Sequence, residues 1–235
     1  MYILGIRRLV HLIRLNNMAA SRWPNSSAPQ GSAISASATR QIIFEPTFIK
    51  MEEVDYASTQ KLKEAFYKVE KRYPGFSQEF IIGLLQRLGL EKEVDLFETG
   101  LRIAGFQEGA PIHRTGQRRQ QLTELENRAQ ELKKILSTIP DEICDRRCFI
   151  ELIKLIASAI KQLLDSVTLV YESSAPGVHK KALGEQKQNF LLYCRQFSSN
   201  LKDYFKDNKQ QVVFNSANRL VNQVNLILMV AREMN

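Results

Sequence analysis

The sequence predicts an all-α protein with an N-terminal intertwined helical dimerisation domain, a hinge and a C-terminal up-and-down four-helix bundle. Breakers are scarce, since the 235 residues include only 11 glycines and 7 prolines. Straight-chain residues that lose little side-chain freedom in a helix are common. After residue 44, apolar residues recur at the three- and four-residue steps of one helix face.

The first 43 residues are predicted to be a disordered or targeting extension. Residues 1–44 hold five arginines and no acidic residue, and a Ser-, Ala- and Pro-rich stretch follows Asn17. This composition is typical of a mitochondrial transit peptide. The alternative is a disordered extension upstream of a start at Met18. Arginines interrupt the early apolar run, so we expect no membrane span there.

The net charge of +8 is unevenly distributed along the chain. The first 44 residues carry +5, whereas residues 121–235 hold sixteen basic and thirteen acidic residues. A nucleic-acid surface needs cations clustered on one folded face, so this distribution argues against a nucleic-acid partner.

Catalytic and metal-binding signals are missing from the sequence. The three cysteines and three histidines show no zinc or disulfide spacing, and no glycine-rich phosphate loop is present. Helical cysteines without paired spacing are typical of a reducing, intracellular protein. We therefore expect a protein that is not an enzyme, with no catalytic residue, no metal and no cofactor.

Residues 44–106, the middle segment, are predicted to form short helices that dimerise. Ser58 and Ser77 are expected to cap two of them, and Leu96 to Ala104 to form the last. Short helices are marginal alone, so a second chain is expected to cover their apolar faces. The alternative is that the segment packs onto the C-terminal bundle in a monomer. The apolar residues of these helices include Leu62, Ala65 and Phe66 on the first, and Leu84 and Leu85 on the second.

Residues 107–120 are predicted to be a hinge, because they contain Gly and Pro and show no apolar period. Residues 121–235 then show four strongly periodic apolar stretches. The predicted helices span about 122–139, from Pro140 to about 171, 180–206, and a last stretch from Val213 onward. Because the connections are short, these helices are expected to pack antiparallel, up and down.

A basic groove is predicted between the second and third bundle helices. On each helix, two cations seven residues apart lie on one face and flank small or apolar residues. The predicted rim is Lys154, Lys161, Arg195 and Lys202, and the predicted floor is Ala157, Ile160 and Ser198. Such a surface suits an acidic amphipathic helix. The alternatives are an ordinary solvated surface, or a surface for anionic lipid headgroups.

Three runs resemble the programmed cell death ten family, also called the cerebral cavernous malformation three family. They are LKEAFYKVEKRYPGFSQEFIIGLLQRL, ILSTIPDEICDRRCFIELIKLIASAIKQLLD and NLKDYFKDNKQQVVFNSANRLVNQVNLIL. The similarity covers roughly residues 44–235 and implies a dimerisation domain, a hinge and a bundle like the focal-adhesion-targeting domain. The resemblance places the family's dimer positions on Leu62, Ala65, Leu84 and Leu85, which together with the neighbouring Phe66 we call the dimer face. It places the family's peptide-groove positions on the seven groove residues above.

Two departures from the family pattern stand out. Arg195 lies where a lysine is usual, which keeps the charge but changes the hydrogen-bond geometry. The predicted hinge is basic where the family is more acidic.

The resemblance also implies a non-catalytic adaptor with several partners. These are a second copy of the chain, germinal-centre kinases of subfamily III that replace it on the same helical surface, striatin within a phosphatase–kinase complex, leucine-aspartate-motif proteins such as paxillin, and the cerebral cavernous malformation two protein. It further implies a cytoplasmic protein associated with the Golgi and plasma membrane, with roles in apoptosis and angiogenesis.

Overall fold

The computed structural model describes residues 39–73, 75–90, 92–106 and 117–234. All regular secondary structure in these ranges is helical, so the all-α prediction is confirmed. A π-helical turn, Arg40–Phe44, precedes the helices α1 (Glu45–Glu52), α2 (Tyr56–Arg72), α3 (Phe76–Leu88), α4 (Leu96–Gly105), α5 (Gln117–Ser137), α6 (Ile139–Glu142), α7 (Arg146–Ser173), α8 (Val178–Asp207) and α9 (Gln210–Glu233).

The described residues leave out most of two predicted segments. Residues 1–38 of the predicted extension and residues 107–116 of the predicted hinge lie outside them. The rest of the extension, residues 39–43, is helical and runs directly into α1. The end of the hinge, residues 117–120, is the first turn of α5.

An aromatic cluster joins the N-terminal helices within one chain. The ring centroid of Phe66 in α2 lies 5.0 Å from that of Phe44 and 5.7 Å from that of Phe48. On the other side, it lies 5.5 Å from Phe76 and 5.4 Å from Phe80, both in α3. Rings at these separations attract one another beyond the area that they bury. The cluster therefore gives α1, α2 and α3 a small core of their own.

Carboxylates cap α2 and α3, in place of the predicted serine hydroxyls. Asp55 accepts a 3.0 Å hydrogen bond from the backbone N–H of Ser58. Glu70 accepts 2.7 Å bonds from the N–H groups of Gly75 and Ser77. The predicted caps were wrong because the helices begin earlier, at Tyr56 and Phe76. Ser58 and Ser77 therefore lie inside the first turn, where their N–H groups are the ones that a carboxylate caps.

Helices α5, α7, α8 and α9 form the predicted four-helix ring, in which each helix contacts the next and α9 returns to α5. Their facing sides share one continuous core. The side chain of Asp145 caps α7 by accepting from the N–H groups of Arg147 at 2.8 Å and Cys148 at 3.1 Å. A one-turn helix, α6, separates α5 from α7 where the sequence predicted that α7 starts directly at Pro140.

Helix α4 packs on the bundle, in contact with both α5 and α9. Leu101 and Ala104 are fully buried in the bundle core. A Cβ atom added to Gly105 would lie 2.6 Å from the Cβ of Ser137, so glycine permits this close approach of α4 to α5. The sequence analysis grouped α4 with the middle segment, but its contacts make it a fifth helix of the C-terminal body.

None of the described helices combines the length and the hydropathy needed to cross a lipid bilayer.

Candidate functional site

Helices α2 and α3 expose apolar side chains at the predicted dimer face. Leu62 is 38% exposed and Leu84 is 44% exposed, while Ala65 is exposed and Leu85 is half-buried. Leu88 continues the same run and is 60% exposed. A soluble monomer rarely leaves a large contiguous apolar patch in water. The face is therefore suited to burial by another polypeptide.

Phe66 differs from the other predicted dimer-face residues. Its ring lies at the centre of the aromatic cluster, in contact with rings from the π-helical turn, α1 and α3. Its packing is thus satisfied largely within one chain. Its spacing on α2 matched that of Leu62 and Ala65, and spacing does not distinguish an internal contact from an external one.

Small buried residues form the floor of the basic groove between α7 and α8. Ala157 is 1% exposed and Ser198 is 2% exposed, so both lie at the helix contact. The Ser198 hydroxyl donates a 2.9 Å hydrogen bond to the Cys194 carbonyl, which satisfies it internally. Ile160 is fully buried and supports the floor from below, so a ligand has no direct access to its side chain. The groove is therefore shallow, and its floor does not open into the contact between α7 and α8.

The four predicted rim cations lie in different electrostatic settings. The Lys154 ammonium forms a 2.6 Å ion pair with Glu151, one turn earlier on α7. Lys161, Arg195 and Lys202 are exposed, and none of the three has an ion-pair partner within the described part of the chain. An acidic ligand would meet three free cations, whereas it must compete with Glu151 for the fourth.

The pair α7–α8 is held together at both ends of the basic groove. At one end, the Phe149 ring packs edge-on against Tyr204, with centroids 5.5 Å apart. At the other end, the Lys187 ammonium donates a 2.7 Å hydrogen bond to the Thr168 hydroxyl. Thr168 follows Lys161 by seven residues, which places it on the same face of α7. Lys187 is thus a buried cation that links α8 to α7.

Lys187 is almost completely buried, at 2% exposure. Burial lowers the pKa of its ammonium from 10.5 to about 8, and the attraction of Glu172 and Asp165 offsets this only in part. Below about pH 8 the folded and unfolded chains both carry the proton, so the full cost of burying the charge is present. Between about 8 and 10.5 the folded chain binds fewer protons, and stability rises with pH.

Lys187→Met is accordingly expected to stabilise the fold at about pH 7, by on the order of 1 kcal/mol, because it removes a buried charge. The gain should shrink as the pH is raised from about 8 to about 10, where the wild-type lysine loses its proton. Thermal unfolding across this pH range measures both effects. Lys181→Met, at an exposed position of the same helix, is the control for replacing a lysine of α8 outside the core. A gain that is constant with pH would contradict the assignment.

No three His, Cys, Asp or Glu side chains converge on a possible metal position within the described ranges.

Two family models match consecutive parts of this chain. The model for the dimerisation domain of programmed cell death protein 10 matches residues 32–91, and the model for its C-terminal part matches residues 94–184. The programmed cell death protein 10 homolog of Caenorhabditis elegans is 34% identical over 212 residues, which cover 83% of this chain and 93% of the relative. The chain belongs to the programmed cell death protein 10 family. The resemblance found in its three sequence runs is confirmed.

The two programmed cell death protein 10 matches are informative about the dimer face and about the bundle that carries the basic groove. The dimerisation match includes all of α2 and α3, which supports self-association through this part of the chain. The C-terminal match begins two residues before Leu96, the first residue of α4, in keeping with the packing of that helix on the bundle. A dimerisation domain followed by a helical domain supports an adaptor or scaffold role.

Sequence reasoning missed Lys187 as a buried cation, although a signal was present. Lys187 lies four residues after Leu183 and three before Phe190, both fully buried. It therefore occupies the apolar stripe of α8, where a lysine is unusual. A charged residue at a core position of a periodic helix is the pattern that would have identified it.

Proposed function

We propose that this chain is a non-catalytic adaptor that dimerises through α2 and α3 and binds acidic helical peptides in its basic groove. The observation that carries the proposal is the exposed apolar dimer face, located within the match to a dimerisation domain. The aromatic cluster gives the helices their own core, so the apolar face remains available to a partner.

The proposed partners fall into two groups by the surface that they bind. The dimer face takes either a second copy of the chain or a germinal-centre kinase of subfamily III. The basic groove takes leucine-aspartate-motif proteins such as paxillin, and the adaptor joins the kinases to striatin–phosphatase complexes. The cerebral cavernous malformation two protein is a further proposed partner, with no surface assigned to it. Its proposed location is the cytoplasm, with association at the Golgi and plasma membrane.

The chemistry of the groove supports a peptide that carries both leucine and aspartate. Leucine side chains of a docked helix would lie over the small residues Ala157 and Ser198, whose burial keeps the surface between the rim cations low. Carboxylates one or two turns away would then meet Lys161 and Lys202, which form no ion pair with any residue that the structure describes. Such rim contacts govern orientation and encounter rate more than affinity.

Replacing all four rim cations, Lys154, Lys161, Arg195 and Lys202, with aspartate should weaken binding of an acidic leucine-aspartate peptide by about tenfold or more. Attraction at the rim becomes repulsion, while the buried floor is unchanged. Isothermal titration calorimetry at low and high salt measures the loss, and the wild-type affinity should fall as salt screens the rim.

The matched control places four aspartates at exposed lysines outside the groove, namely Lys50, Lys92, Lys134 and Lys181. The control changes the net charge equally and should retain peptide binding. Equal affinities for wild type and the rim variant would contradict the groove assignment.

Anionic lipid is the alternative ligand of the same cations, because basic surfaces near a membrane attract acidic headgroups. Co-sedimentation with phosphatidylserine vesicles, in the presence and absence of saturating peptide, distinguishes the two. Vesicle binding that peptide abolishes would place lipid in the groove, whereas binding that survives would place it elsewhere.

A further inference from the structure

A cavity lies on the side of α8 that faces away from the basic groove, where α4, α8 and α9 converge. Phe97 of α4, Asn200 of α8, and Asn215 and Arg219 of α9 contribute to its lining, and its volume is about 280 Å³. On a helix with 100° per residue, Asn200 points away from Ser198 and Lys202, which belong to the basic groove. We call this cavity the Arg219 cleft. It is separate from the surfaces used in the proposed function.

Arg219 is a cation without a counter-ion in the described ranges. Its Nε atom is buried and has no hydrogen-bond partner there. No carboxylate of the described residues pairs with its guanidinium. A buried donor that lacks a partner is costly, because its loss of hydration is not compensated. Arg219 therefore has one unsatisfied N–H group, and its side chain lines the cavity.

The charges around the Arg219 cleft select the kind of anion. Asp95 is close by, because the Gln211 side chain, which also lines the cavity, donates to its carboxylate. The same carboxylate caps α4 by accepting from the N–H of Phe97 at 2.9 Å. An anion in the cleft would meet one free cation and this carboxylate. A singly charged group fits that balance better than a doubly charged phosphate.

The volume of the cavity and the residues around it also restrict which group it can hold. The cavity of about 280 Å³ lies just below the roughly 300–1,000 Å³ usual for sites of drug-sized ligands, so it has room for a small group such as one side chain. Val212, which is 38% exposed, lies at its edge and offers an apolar contact. An acidic side chain that projects from a protein surface provides both the carboxylate and apolar neighbours.

We propose that the Arg219 cleft binds one carboxylate, supplied by an acidic side chain of a protein partner. The planar guanidinium would donate two parallel N–H bonds to the two carboxylate oxygens, the strongest arrangement for this pair. Asn215 would add an amide donor from one turn earlier on α9. The chain thus has a second recognition point, on the face of α8 opposite the basic groove.

The test is an NMR titration of the full chain with N-acetylglutamate α-amide, which has a single side-chain carboxylate. N-acetylglutamine α-amide is the uncharged match, and inorganic phosphate is the competing anion. The Arg219 Nε–Hε and Asn215 side-chain resonances should shift saturably with the glutamate compound, and not with the glutamine compound. Tighter binding of phosphate would overturn the assignment to a carboxylate.

Three variants complete the test. Arg219→Met should weaken binding by about tenfold or more, as measured at Asn215, because a charge-assisted hydrogen bond is lost. Arg219→Lys keeps the charge without the planar fork and should have an intermediate effect. Arg147→Met, at an exposed arginine of α7, should bind like wild type. No saturable shift in the wild type, or equal losses at Arg219 and Arg147, would overturn the proposal.

Discussion

A variant with aspartate at Leu62, Ala65, Leu84 and Leu85 is expected to be monomeric and to lose binding to a kinase tail. Burial of this face by a partner would desolvate four carboxylates that have no compensating charge, and each costs several kcal/mol. Size-exclusion chromatography with light scattering, with and without a subfamily III kinase tail, measures both losses. The α4–α9 body should stay folded, because none of these residues belongs to its core.

A matched control places aspartate at four exposed apolar residues of the C-terminal body. Leu155, Leu169, Val178 and Met229 are between 48% and 81% exposed. This control should self-associate like the wild type. If the dimer-face variant still bound the kinase tail, the proposal that one face serves both partners would be wrong.

Leu101→Asp is expected to destabilise the C-terminal body by several kcal/mol. Leu101 is fully buried in the core that α4 shares with the bundle, so the substitution places an unpaired carboxylate in an apolar site. Thermal unfolding monitored by circular dichroism measures the loss. Self-association should survive, because the dimer face lies on α2 and α3.

Ile103→Asp is the control on the same helix, where Ile103 is 36% exposed. It should change the unfolding temperature much less than Leu101→Asp. If Leu101→Asp instead abolished dimers and left the stability of the bundle unchanged, α4 would belong to the dimerisation domain. That is where the predicted domain boundary at residue 106 puts it.

The helices of the bundle could be predicted because they are long. In α7 and α8, apolar residues repeat over seven or more turns, and the predicted helix ends of α8 fall within two residues of those in the structure. Helix α4 has ten residues. Its apolar face indicates that it packs against something, but such a short pattern does not identify the partner. The bundle is identified as that partner only by the close approach of Gly105 to α5 and by the burial of Leu101.

The candidate sites could be predicted only where a single helix encodes them. Spacing of seven residues predicted the rim of the basic groove, because it depends on one helix at a time. The burial of Ile160 depends on how four helices meet, and no single stretch encodes it. The Arg219 cleft needs α4 beside α8 and α9, and α4 lies far from both in the chain. Its cation therefore looked like any other charge of α9.

The position of α4 has a consequence for stoichiometry. This helix covers the side of the bundle formed by α5 and α9, opposite the α7–α8 side. Each protomer is then expected to seat one helical peptide, and a dimer two. A ligand with two acidic helical motifs on a linker of suitable length would bind the dimer with an avidity that no isolated motif reaches, because its second motif binds at high effective concentration.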